Sequence, residues 1–152
     1  MPLLLFGLRT GPMLLVMGLI FFFSHQTGDT LHLPSIPGID KIGHMAIYGL
    51  LAVTVLWFLG SVKKQVEPIG AALKTVLFCV IYGISDEWHQ SFIPGRMVGG
   101  YDVLADLAGS VLVAAIWLRS QTFRACLEAW YVTIALKLRG WNGNKSCKES
   151  GV

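Results

Sequence analysis

Residues 73–96 read LKTVLFCVIYGISDEWHQSFIPGR. The first half is a greasy run of the kind that crosses a bilayer as a helix. The second half sets Ser85, Asp86, Glu87, His89 and Gln90 together, just before a Pro-Gly-Arg turn. Ionised side chains are expensive in lipid unless they face other protein groups. The stretch therefore predicts a spanning helix whose polar end meets polar partners from elsewhere in the chain.

The rest of the sequence supports a membrane setting. The chain has 152 residues, 54% hydrophobic and only 14% charged, with mean hydropathy +0.62. An ordinary soluble domain carries about 25% charged residues, and a chain this short buries its apolar surface poorly in water. The formal charge of +3 is too small to indicate a nucleic-acid partner. Cys79, Cys126 and Cys147 fall in unrelated settings and form no disulfide framework.

Spanning helices need about 20 mostly apolar residues. Met13–Phe23 is one apolar run, extended back through Leu3–Leu8 with Arg9 and Pro12 interrupting. Met45–Leu59, Ile69–Ile84 and Val103–Leu118 are three more. Lys74 lies near enough to a helix start to snorkel, whereas Asp106 has no such excuse. No A-x-A cleavage site follows Phe23, so the first segment reads as a retained span rather than a signal peptide. Lys63 and Lys64 follow the second span, and Arg119 and Arg124 follow the fourth. On the other side stand only Lys41 and Arg96. The positive-inside rule then puts both termini in the cytoplasm.

The expected fold is an all-α polytopic bundle: four transmembrane helices plus a C-terminal amphipathic helix. Residues 1–121 form the bundle. Residues 122–139 place Phe123, Cys126, Leu127, Trp130, Tyr131, Ile134 and Leu138 at helical spacing, as in an interfacial helix. Residues 140–152 have the composition of a disordered polar tail.

That topology gathers four polar clusters at one membrane depth, on the outer side. Ser24, His25 and Gln26 end the first span, and Asp40, Lys41, His44 and Tyr48 begin the second. Asp86, Glu87, His89 and Gln90 end the third; Arg96, Asp102 and Asp106 lead in the fourth. Asp40, His44 and Tyr48 repeat every four residues and share a helical stripe, as do Asp86 with Gln90 and Asp102 with Asp106. A pocket lined by all four helices is expected.

Simpler roles exist for several of these residues. Asp40 and Asp102 suit helix N-caps, His44 a packing position, Arg96 a solvated turn tip and Tyr48 an interfacial anchor. Glu87 and Asp106 fit a purely structural role least well. As chemistry, His44 with Glu87 or Asp86 is an acid–base pair, and His89, Asp102 and Asp106 are further catalytic candidates. Lys41 and Arg96 suit a phosphate, with Asp40, Tyr48 and Gln90 as other binding residues. His44, His89, Glu87, Asp102 and Asp106 are competent metal ligands, but their spacing matches no helical metal-ligand motif of the H-E-x-x-H kind. The sequence assigns no metal and no cofactor.

The blocks carrying these residues resemble a known family. IDKIGHMAIYGLL (residues 39–51) is similar to the D-K-x-x-H-x-x-x-Y signature of the VanZ-like membrane proteins. SDEWHQSFIPGR followed by YDVLADLAG (residues 85–96 and 101–109) is similar to their second signature, D-E-x-H-Q-x-F-x-P-G-R and then D-x-x-x-[N/D]-x-x-G. FSHQ at 23–26 resembles a short element that the family places earlier. Asp106 stands where the family often has Asn. The resemblance covers 40–109 and implies a small bacterial protein of the cytoplasmic membrane, related to one linked with teicoplanin resistance. Partners implied are membrane lipids, a lipid-linked phosphate or a lipoglycopeptide. Three readings follow: an enzyme on a lipid-linked envelope substrate, a binding or shielding protein, and a structural polar network.

Overall fold

The computed structural model of the protein describes residues 2–27, 38–59, 67–96 and 98–149. The basic loop with Lys63 and Lys64 and the last three residues of the tail lie outside them. The described residues form helices and no strands: α1 (Pro2–Ser24), α2 (Ile39–Phe58), α3 (Pro68–Gln90), α4 (Gly100–Arg119) and α5 (Gln121–Glu149). Four of these, α1 to α4, are long and apolar enough to cross a membrane.

Local chemistry explains the boundaries. Gly38, at φ 82, holds the left-handed turn that starts α2. Asp40 therefore sits inside the first turn and is not the N-cap. Pro68 opens α3, where its missing N–H costs nothing because first-turn donors have no intrahelical acceptor. α3 then continues through Asp86–Gln90, so the polar cluster is helical rather than looped. α1 runs unbroken through Pro12. A proline lacks the N–H that would bond the carbonyl four residues back. The Trp57 indole on α2 donates to that carbonyl, Leu8 O, at 3.2 Å, which a helix in lipid needs.

Within residues 1–119, one compact unit, α2 is central. Tyr48, Leu51, Ala52 and Val55 pack with Val16 and Ile20 of α1 and Cys79 of α3. α4 lies closest to α2, and Gly109 is the reason: a Cβ there would run into the Met45 backbone carbonyl. Small residues allow this approach between membrane helices, where van der Waals contact replaces the hydrophobic driving force. The outward faces are the inverse of a soluble protein, with Leu14, Leu15, Phe21, Leu73, Leu77, Ile81 and Leu112 all exposed. Lipid is their natural solvent.

Residues 120–152 form a second unit. The Ser120 hydroxyl accepts the Phe123 N–H at 3.1 Å and caps α5. The helix extends to Glu149. This corrects the disordered tail expected from residue 140: the backbone stays helical ten residues further than the apolar stripe. Trp130 is exposed, while the side chains of Tyr131 and Leu138 lie outside the described set.

Candidate functional site

The ends of α1 and α3 and the beginnings of α2 and α4 meet at one end of the bundle, and their polar groups sort into two networks. The first joins α1 to α3. Ser24 Oγ donates to Asp86 Oδ2 at 2.7 Å, and Gln90 Nε2 donates to the same oxygen at 2.9 Å. Gln90 also reaches Ser24 Oγ at 3.3 Å. All three residues are buried.

The second network joins α2 to α4, with Glu87 of α3 beside it. Lys41 Nζ bonds Asp102 Oδ1 and, at 2.9 Å, Asp40 Oδ2. His44 Nδ1 lies 2.9 Å from Asp106 Oδ1, and its Nε2 lies 4.0 Å from Asp102 Oδ1. A carboxylate only accepts, so Nδ1 carries the proton toward Asp106 and leaves the Nε2 lone pair free on neutral His44. Glu87 Oε2 accepts the Gly99 N–H at 3.3 Å. Among the described residues, Glu87 Oε1, Asp106 Oδ2 and the Tyr48 hydroxyl are buried without hydrogen-bond partners. Successive helical residues are about 100° apart, which is why Asp86 faces α1 while Glu87 faces the second network. Gly83 completes the fit, because a Cβ there would stand 2.7 Å from Asp106 Oδ2.

Beside these networks lies a cavity of about 360 Å³. Ser24, Asp40, His44, Tyr48, Asp86, Gln90 and Arg96 give it a polar lining, and Ile20, Phe23, Ile39 and Ile47 an apolar one. Arg96 is no solvated tip: Nη2 donates to Phe23 O at 2.7 Å, at the carbonyl end of α1, and its Nε is buried without a partner. A cation here complements the negative end of the helix dipole.

Several expectations need correction. The acid on His44 is Asp106, not Asp86 or Glu87; Asp86 is occupied by Ser24 and Gln90. His89 does not join the cluster, since it stacks on Phe21 and lies 3.3 Å from His25 on the α1 side. Lys41 is held between two carboxylates and does not line the cavity, which leaves Arg96 as its cation. Tyr48 is fully buried rather than an interfacial anchor. Asp102 lies two residues inside α4 and is no cap. The apolar half of the cavity went unnoticed in the sequence, although Ile47 precedes Tyr48 and Phe23 precedes Ser24.

The geometry accounts for both motif blocks. The pair Lys41–Asp102 and the pair His44–Asp106 each join a residue of the first block to one of the second, and Gly109 brings their helices together. The family model VanZ/LLP1 matches residues 11–124, which includes both blocks, the second part of α1 and the whole of α2, α3 and α4. No curated protein and no solved structure matches the chain. With three quarters of its length matched, this multi-pass membrane protein belongs to the VanZ/LLP1 family.

Proposed function

We propose that the protein takes the polar head of an amphiphilic envelope molecule into this cavity: a lipid, a lipid-linked precursor or a lipid-bearing glycopeptide. The observation that carries the reading is the two-sided lining. Polar side chains and the Arg96 guanidinium meet Ile20, Phe23, Ile39 and Ile47 in one cavity among membrane helices. A binding site with an apolar body and a few placed polar groups suits such a ligand. The forked guanidinium is the group for a phosphate. In this reading the cavity faces the outer leaflet with both termini cytoplasmic, which the distribution of Lys and Arg supports.

The His44–Asp106 pair favours chemistry over passive holding. Asp106 orients the ring, and His44 sits in the cavity wall as a general base within reach of a bound head group. Lipid profiling of cells carrying the wild-type gene, no gene, or the His44→Ala variant tests this. A lipid species that appears or vanishes only with the wild-type gene supports the enzyme. Unchanged lipid pools with altered glycopeptide sensitivity would overturn it in favour of a holding protein.

A further inference from the structure

The second network points to a cation that the family resemblance does not supply. Four carboxylates are more than nine-tenths buried: Asp86 at 6% exposed, Glu87 at 5%, Asp102 at 6% and Asp106 at 1%. Lys41 bonds Asp102 alone of these four and shares itself with the half-exposed Asp40, while Asp86 is held by Ser24 and Gln90. Buried negative charge in this excess calls for a positive partner.

Three of the nearby groups converge. His44, Glu87 and Asp102 each offer one ligand atom, and these atoms lie within 4.8 Å of one another. Each comes from a different helix. Two details make the cluster more than a set of acids. The His44 Nε2 lone pair is directed toward this group because Nδ1 is engaged by Asp106, the arrangement in which a carboxylate orients a metal-binding imidazole. Separately, Glu87 Oε1 is buried with no hydrogen-bond partner among the described residues, and a cation would supply what it lacks.

We propose that His44, Glu87 and Asp102 bind one divalent transition-metal cation, zinc or manganese, with Asp106 as the residue that positions His44. One imidazole and two carboxylates suit these ions. A tetrahedral ion with bonds of about 2.1 Å holds its ligand atoms roughly 3.4 Å apart, so from a spread of up to 4.8 Å the set needs to close by as much as about 1.4 Å. Closing it calls on the side-chain torsions of Glu87 and Asp102, and Lys41 has Asp40 to keep when Asp102 turns. Three protein ligands leave a coordination position open, as catalytic sites do. Since His44 also lines the cavity, that position adjoins it. The site does not depend on what the cavity holds, but an occupied site engages His44 Nε2, so the ring is then a ligand and not the general base of the reading above.

The test uses the full-length protein without a polyhistidine tag, purified from cells supplemented with zinc or manganese. Metal per chain is measured by mass spectrometry after passage through metal-free buffer. The expected result is about one ion per chain, as a single three-ligand site holds. His44→Ala and Glu87→Gln should abolish retention, and Asp106→Asn should weaken affinity about tenfold or more. A second readout guards against variants that fail to fold: added zinc should raise the unfolding temperature of wild-type protein, and a chelator should reverse the rise. Wild-type protein that holds neither ion and shows no shift would overturn the site. So would retention undiminished in both ligand variants.

Discussion

The polar end of the bundle contains two networks built from the same kinds of residue and serving opposite ends. Ser24, Asp86 and Gln90 satisfy one another, with two donors converging on a single carboxylate oxygen. Glu87 and Asp106 are equally hidden from solvent and His44 beside them is partly buried, yet Glu87 and Asp106 each leave an oxygen unpartnered among the described residues. A satisfied network in lipid fastens helices together. An unsatisfied one costs stability, so its presence is better explained by something it binds. The comparison teaches that burial and charge do not distinguish a fastening from a site; unpaired groups do.

The largest effect should follow from Gly109→Leu, because even a Cβ there overlaps the Met45 carbonyl. Overpacking on this scale costs about 3 kcal/mol. It should separate α2 from α4, and with them both ion pairs, while the α1–α3 fastening stays intact. Thermal unfolding in detergent measures the loss; a variant as stable as wild type would show that Gly109 does not set the helix approach.

Gln90→Leu removes a donor from Asp86 and should lower stability by about 2 kcal/mol, the range for hydrogen bonds to charged acceptors. Glu87→Gln should move the other way. Replacing a buried, half-paired carboxylate by an amide should leave stability unchanged or raise it by about 1 kcal/mol, while metal retention and any lipid conversion are lost. If Gln90→Leu proved harmless and Glu87→Gln destabilising, the assignment of the two networks would be reversed.

The smallest effect belongs to Trp57→Phe. It withdraws the indole donor that stands in for the N–H missing at Pro12 and should cost about 1 kcal/mol. This contact is distant along α1 from the cavity, so ligand retention measured on the same preparation should not change.

Much of this was legible in the sequence. Four spans follow from hydropathy, and their alternation alone brings DKIGHMAIY to the same membrane face as SDEWHQSFIPGR. Which residue meets which was not legible. A helix end fixes depth but not rotation, so Asp86 and Glu87 look interchangeable until the packing of α3 sends one to α1 and the other to α4. Likewise the sequence offers five metal-competent groups, His44, His89, Glu87, Asp102 and Asp106, but no linear spacing reveals that His44, Glu87 and Asp102 are the three that converge. Arg96 reads in the sequence as a phosphate ligand or a solvated turn tip, and neither reading foretells that its length lets it reach the end of α1. The cavity's apolar half was hidden by its setting, where Ile20, Phe23 and Ile47 look like any other lipid-facing residues.

The central claim is that the cavity holds the head of an amphiphile. Native mass spectrometry of wild-type protein and of Ile47→Trp, both extracted from membranes in a mild detergent, tests it most directly. Ile47 lines the cavity without belonging to either polar network, so the indole fills space and leaves the charged groups in place. The account predicts a retained phosphate-bearing or lipid-tailed molecule on the wild-type protein and its loss from a folded Ile47→Trp variant. Wild-type protein free of any such molecule, or equal retention by both, would contradict it.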